Sequence, residues 1–208
     1  MASKVSCRRF HEHCLGLFVN DILNGPRRPY PNELSIVAGK EGVPERILVA
    51  IWLIERNRRP RVIRLVENAV LTLNTVLFAL LGIPILNLSV GPFQLKIDQA
   101  AKIARLRATV GGNRVKFISD NPSSKKSAIR FLQQLGRLDL NATLAAQHIL
   151  SVYREYCMSY GVPREADYSR NSAFLRYLGR KYNDEALSDD YLGVVGYGRV
   201  LESVARSL

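Results

Sequence analysis

The chain has 208 residues, 30 of them basic and 18 acidic, for a formal charge of +12 and a pI near 10.0. That length suits one domain, or one with a small appendage, and 47% hydrophobic with 23% charged residues excludes a disordered or collagen-like chain. Arginine supplies most of the positive charge and its planar fork suits phosphate and carboxylate groups, so the expected partner is anionic: nucleic acid, a membrane surface or an acidic polymer such as cell wall.

Residues 1–23 read as one helix, stopped by the three prolines within 25–31, which form the best linker in the chain. A basic, apolar start with Glu12 inside it and no small-residue cleavage site is not a secretory signal. Cys7, Cys14 and Cys157 are too few and too odd in number for a disulfide framework and read as free thiols, with a Cys7–Cys14 bridge as the alternative. A short helix follows at 32–41 with Asn32 as its cap, ended by Gly42. From Pro44 to about Arg56 the sequence is apolar on every face, the pattern of a helix buried all round.

No charge occurs between Glu67 and Lys96, and 69–88 is long enough to span a bilayer. Thr72, Asn74, Thr75, Asn87 and the break at Gly82 and Pro84 favour instead the central helix of a helical core, without stable membrane insertion. Helical patterns recur at 61–82, 92–109, 122–136, 139–160, 169–183 and 189–207, and residues 114–118 suit a short strand. The expected architecture is all-α with a short strand or two at most, divided into an appendage and linker at 1–31 and a main domain at 32–208.

Glu55 is the leading candidate for chemistry. It follows eight consecutive apolar residues, 47–54, which would take its carboxyl partly out of water, favouring the protonated form that a general acid needs. A helix-end glutamate paired with Arg56, Arg58 or Arg59 fits the same residues equally well.

Further motifs follow Glu55 in order. They are Ser89-Val-Gly-Pro-Phe-Gln94, a helix opening Asn141-Ala-Thr-Leu-Ala-Ala146, and the pair Tyr182-Asn183. This order resembles the lysozyme-like superfamily, in particular the lytic transglycosylases that cleave the β-1,4 glycan of peptidoglycan between N-acetylmuramic acid and N-acetylglucosamine. The resemblance implies a lysozyme-like helical domain in which Glu55 protonates the glycosidic oxygen and then acts as base. It also implies that Ser89 is a polar neighbour of that carboxyl, that Gln94 holds the turn and faces the sugar, that Tyr182 places its hydroxyl near Glu55, and that Asn183 binds the saccharide or anchors its loop. The Asn141 helix is scaffold in such enzymes.

Glycoside hydrolysis usually takes two carboxylates. Between Glu55 and Gln94 the only other acid is Glu67, three residues after Arg64 and so placed for an intrahelical ion pair, while Asp98 is expected to be solvated. One carboxylate suits a transglycosylase, whose substrate supplies its own attacking hydroxyl; a muramidase that hydrolyses the same bond is the alternative. Two departures from the family's pattern stand out: a long spacing from Glu55 to Gln94, and Arg56 where serine is common.

Arg56, Arg58, Arg59, Arg61 and Arg64 form a cluster suited to an anionic glycan or to a solvated face. A non-enzymatic helical protein that binds nucleic acid would use such a stripe too, but the tyrosines gather elsewhere, so no nucleic acid is expected. Cys7, His11 and Cys14 share a helical face without a matching second ligand pair, and neither a P-loop nor a dinucleotide fingerprint occurs; no metal or cofactor is expected. Cys157 and His148 read as packing residues. A cell-wall enzyme made in the cytoplasm without a signal peptide would act in the periplasm or wall after delivery by a specialised secretion system, as an antibacterial effector with an immunity or inhibitor protein.

Overall fold

The structure is a computed structural model that describes residues 2–24, 30–58, 61–118, 121–165, 167–182 and 196–208, excepting the side chains of 2–11, 58 and 61. The described residues are mostly helical, with nine α-helices and five short strands. The chain divides into two compact units, residues 1–54 with 149–208, and residues 55–148, and both divisions fall inside helices.

The first unit is helical. It contains α1 (Ala2–Asn24), α2 (Asn32–Glu41), most of α3 (Glu45–Arg58), the end of α7 (Leu138–Tyr160), α8 (Ser172–Tyr182) and α9 (Tyr197–Ser207). Asn32 is the first helical residue of α2 and not its cap, a position Pro31 takes without a side-chain hydrogen bond, while Gly42 closes the helix at φ 70°. On α9, Tyr197, Val200, Leu201, Val204 and Ala205 recur at helical spacing and are buried, and both α1 and α8 pack against this helix. Tyr153 of α7 stacks on Tyr168 at 3.9 Å, and Phe174 meets both rings edge-on. The all-round burial expected of α3 is present: Ile47, Leu48, Val49, Ala50, Ile51 and Ile54 are each at most 2% exposed.

The second unit adds α4 (Arg61–Leu81), β1 (Ile85–Leu86), β2 (Ser89–Val90), β3 (Leu95–Lys96), α5 (Ile97–Ile103), β4 (Ala108–Gly111), β5 (Arg114–Phe117) and α6 (Pro122–Gln134). The antiparallel order β1-β5-β4 makes one sheet and β2-β3 a hairpin. In β5 the outward Arg114 and Lys116 alternate with buried Val115 and Phe117, the period of a strand with one covered face.

Two expectations are corrected here. The helix expected over 92–109 is a turn, a strand, a seven-residue helix and a second strand, because Gln94 and Arg105 take left-handed backbone (φ 53° and 56°) and interrupt it twice. The helix expected at the centre of the core lies largely at the surface: α4 buries Leu71, Thr75 and Phe78 but exposes most of its other apolar residues. Of the helices expected at 169–183 and 189–207, the described parts are α8, preceded by a single 3₁₀ turn, and α9. The linker at 25–31 lies outside the described residues except for its last two.

Candidate functional site

Glu55 sits three residues before the end of α3 and is 2% exposed. The end of that helix is fixed by Arg64 of α4, whose Nη2 donates to the carbonyl oxygens of Glu55, at 3.2 Å, and of Arg56. A guanidinium there satisfies carbonyls that the helix itself leaves open. Arg64 is thereby tied to the backbone that carries Glu55, and Arg56 is half-buried; the side chains of Arg58, Arg59 and Arg61 lie outside the described residues.

Ser89 and Gln94 flank one tight hairpin. Ser89 opposes Lys96 and Val90 opposes Leu95, leaving Gly91 to Gln94 as the turn. Gly91 stands at φ 78°, and a Cβ there would lie 2.5 Å from the Asn141 side-chain carbon, so backbone angle and contact both require glycine. Asn141, fully buried on α7, accepts from Phe93 N–H at 2.8 Å and donates from Nδ2 to the carbonyls of Val90 (3.3 Å) and Leu135 (3.1 Å). One amide thus fastens the hairpin to α7, the scaffold role expected of that helix.

Gln94 donates to the Gly91 carbonyl twice, from its backbone N–H at 3.2 Å and from Nε2 at 2.8 Å. That fixes its side chain while its Oε1 is buried with no hydrogen-bond partner among the described residues. A residue in left-handed backbone with an open acceptor is the combination that recurs where a ligand completes a site.

Asp98 differs from its expectation. It is half-buried, its backbone N–H donates to Asn87 Oδ1 at 3.1 Å, and its carboxyl Oδ1 is shut off from solvent without a hydrogen-bond partner among the described residues. Glu67 is half-buried, as is His148, while Cys157 is buried as expected of a packing residue. Tyr182 belongs to the first unit, where its ring lies parallel to Tyr197 at 6.2 Å. Asn183 lies outside the described residues, as do the side chains of Cys7 and His11. Among the described residues no group of three or more His, Cys, Asp or Glu side chains is placed to hold a metal ion.

A feature absent from the sequence reading is an open cavity of about 340 Å³ in the second unit, with Arg105, Arg107, Asn121, Ser124 and Ser127 among its lining. Three separate segments build it, and in sequence its arginines look like any solvated face. No protein-family model, curated protein or solved structure matches the chain.

Proposed function

We propose that the protein cleaves peptidoglycan as a lytic transglycosylase with Glu55 as its single acid and base. The observation that carries the reading is a carboxyl at the end of an apolar helix, 2% exposed, in the same unit as a Ser-x-Gly-x-x-Gln hairpin whose Gln94 keeps an unfilled acceptor. Glu55 would donate its proton to the glycosidic oxygen as the C1–O bond of N-acetylmuramic acid breaks. The resulting carboxylate would take the proton of the same sugar's 6-hydroxyl as that oxygen closes on C1, giving a 1,6-anhydro end and consuming no water. Gln94 Oε1 would accept from a hydroxyl or N-acetyl N–H of the glycan, with Ser89 of the same hairpin as a further substrate contact. Delivery to the cell wall as an antibacterial effector, countered by an immunity protein, belongs to the same proposal.

Clearing of purified cell walls by the wild type and by Glu55→Gln tests the chemistry. Removal of a general acid costs roughly 10²–10⁴-fold in rate, and equal activity in the two proteins, or none in either, defeats the proposal. Reducing ends in place of 1,6-anhydro ends among the products would make the enzyme a muramidase. The charge of the second unit supports one rival: fifteen basic residues against five acidic lie between Glu55 and His148. A nucleic-acid-binding protein would show DNA binding that falls steeply with salt and is untouched by Glu55→Gln.

A further inference from the structure

Helix α4 presents to solvent a face that a soluble helix normally hides. Val62, Leu65, Val66, Leu73, Val76 and Leu80 are 47% to 74% exposed. With exposed Ala69, Val62, Val66, Leu73, Val76 and Leu80 recur at alternating steps of four and three, and Leu65 lies beside Val66, so they form a continuous stripe along the helix axis, about 30 Å for its 21 residues. The opposite side holds the helix to its own unit. Leu71, Thr75 and Phe78 are buried, Phe78 packs at 5.8 Å on Phe117 of β5, and α6 lies alongside. Val62–Leu81 is long and apolar enough to cross a membrane, with a mean hydropathy of 1.5, and only 17% of that window is buried in the protein. Contiguous apolar surface of this size marks an interaction site.

The surroundings of α4 choose the occupant. From Asn68 to Leu81 the helix has no charge at all, so it lacks the flanking ion pairs that direct one helix onto another in water. Of the elements beside α4, α6 carries Lys125, Lys126 and Arg130, β5 carries Arg114 and Lys116, β1 and β2 are uncharged, and none of the four has an acidic residue. A second copy seated on this face would bring two such basic frames together, each in a unit with ten more positive than negative residues. An anionic lipid leaflet meets both features at once, taking the apolar stripe into its acyl boundary and the cations at its headgroups.

We propose that α4 docks the protein on the surface of an anionic membrane, lying in the interface plane. The packed inner side of the helix keeps it from spanning. The proposal is independent of the Glu55 chemistry.

Co-sedimentation of the full chain with vesicles tests it, comparing phosphatidylcholine alone with phosphatidylcholine containing phosphatidylglycerol. The expected result is binding to the anionic vesicles that weakens with salt, and a loss of tenfold or more in Leu65→Ser/Leu73→Ser/Leu80→Ser, whose substituted residues are exposed and leave the core intact. Lys126→Glu/Arg130→Glu, also at exposed positions, should remove most of the preference for the anionic vesicles while the apolar stripe is unchanged. Binding that the triple serine variant retains in full would show attraction by charge alone and overturn the proposal. No binding to either vesicle would overturn it as well, and so would a dimer in solution that the triple variant abolishes, which would assign the face to a second copy.

Discussion

Asn141 and Gly91 act as one device. The amide of Asn141 satisfies a buried N–H and two buried carbonyls, and it fits only because position 91 has no Cβ. Asn141→Ala leaves those backbone groups unpaired and should cost about 3 kcal/mol; Gly91→Ala adds left-handed strain to a clash and should cost about as much. Once Asn141 is truncated the clash disappears, so the double variant should unfold at a higher denaturant concentration than additivity predicts, as measured in a double-mutant cycle. Glu202 tests a different principle. Burial pushes its carboxyl up, but hydrogen bonds from Arg176 and Ser172 with the charge of Arg206 outweigh burial and hold it below the usual carboxylate range. A lowered folded-state value stabilises above the ordinary carboxylate range and is lost as pH falls through that value. Glu202→Gln should therefore lower Tm at neutral pH, by about 1–2 kcal/mol of stability, and thermal melts of the two proteins should converge in acid.

At the scale of elements, α8 and α9 cross with backbone nearly touching backbone. A Cβ at Gly179 would run into the main chain of Gly198, and one at Gly198 would lie 2.7 Å from the Arg176 carbonyl. Neither neighbour is a flexible side-chain end, so the helices themselves must part. Gly179→Ala should cost about 3 kcal/mol, more than its gain in helix propensity of about 1 kcal/mol, read as a lower denaturation midpoint. The sequence made some elements plain and hid others for physical reasons. Helix α3 was legible because eight apolar residues in a row leave no solvated face, and β5 because Arg-Val-Lys-Phe alternates with the pleat. The stretch 92–109 was not, since Ile97 to Ala104 is good helix while the breaks at Gln94 and Arg105 are backbone angles of residues that rarely take them. For Gln94 the constraint comes from Asn141, which holds the adjoining Phe93 from 48 positions along the chain. Helix α4 departs from its expected burial for another reason: composition reports how apolar a helix is, and burial depends on what the fold lays over it. The candidate site shows the same division. Glu55 and the hairpin were readable as motifs, whereas the open acceptor of Gln94 and the burial of Asp98 follow from tertiary placement.

Across the whole molecule the charge is unevenly held. Residues 55–148 carry fifteen bases and five acids, a net +10 in 94 residues, while the other 114 carry fifteen bases and thirteen acids, a net +2. Like charges confined to one folded unit repel, and unfolding relieves the repulsion by spreading them along the chain. Salt screens that repulsion: the Debye length falls from about 30 Å at 0.01 M to about 8 Å at 0.15 M, shorter than many separations within such a unit. Raising ionic strength across that range at neutral pH should stabilise residues 55–148 and leave the near-neutral unit almost unchanged. Hydrogen exchange read by fragment reports each unit separately, whereas a single melting curve would blend them. Amides of α6 and β5 should slow in the higher salt and those of α8 and α9 should not. Equal slowing in both units would mean that salt acts through general solvent effects, and slowing confined to α8 and α9 would contradict the charge argument outright.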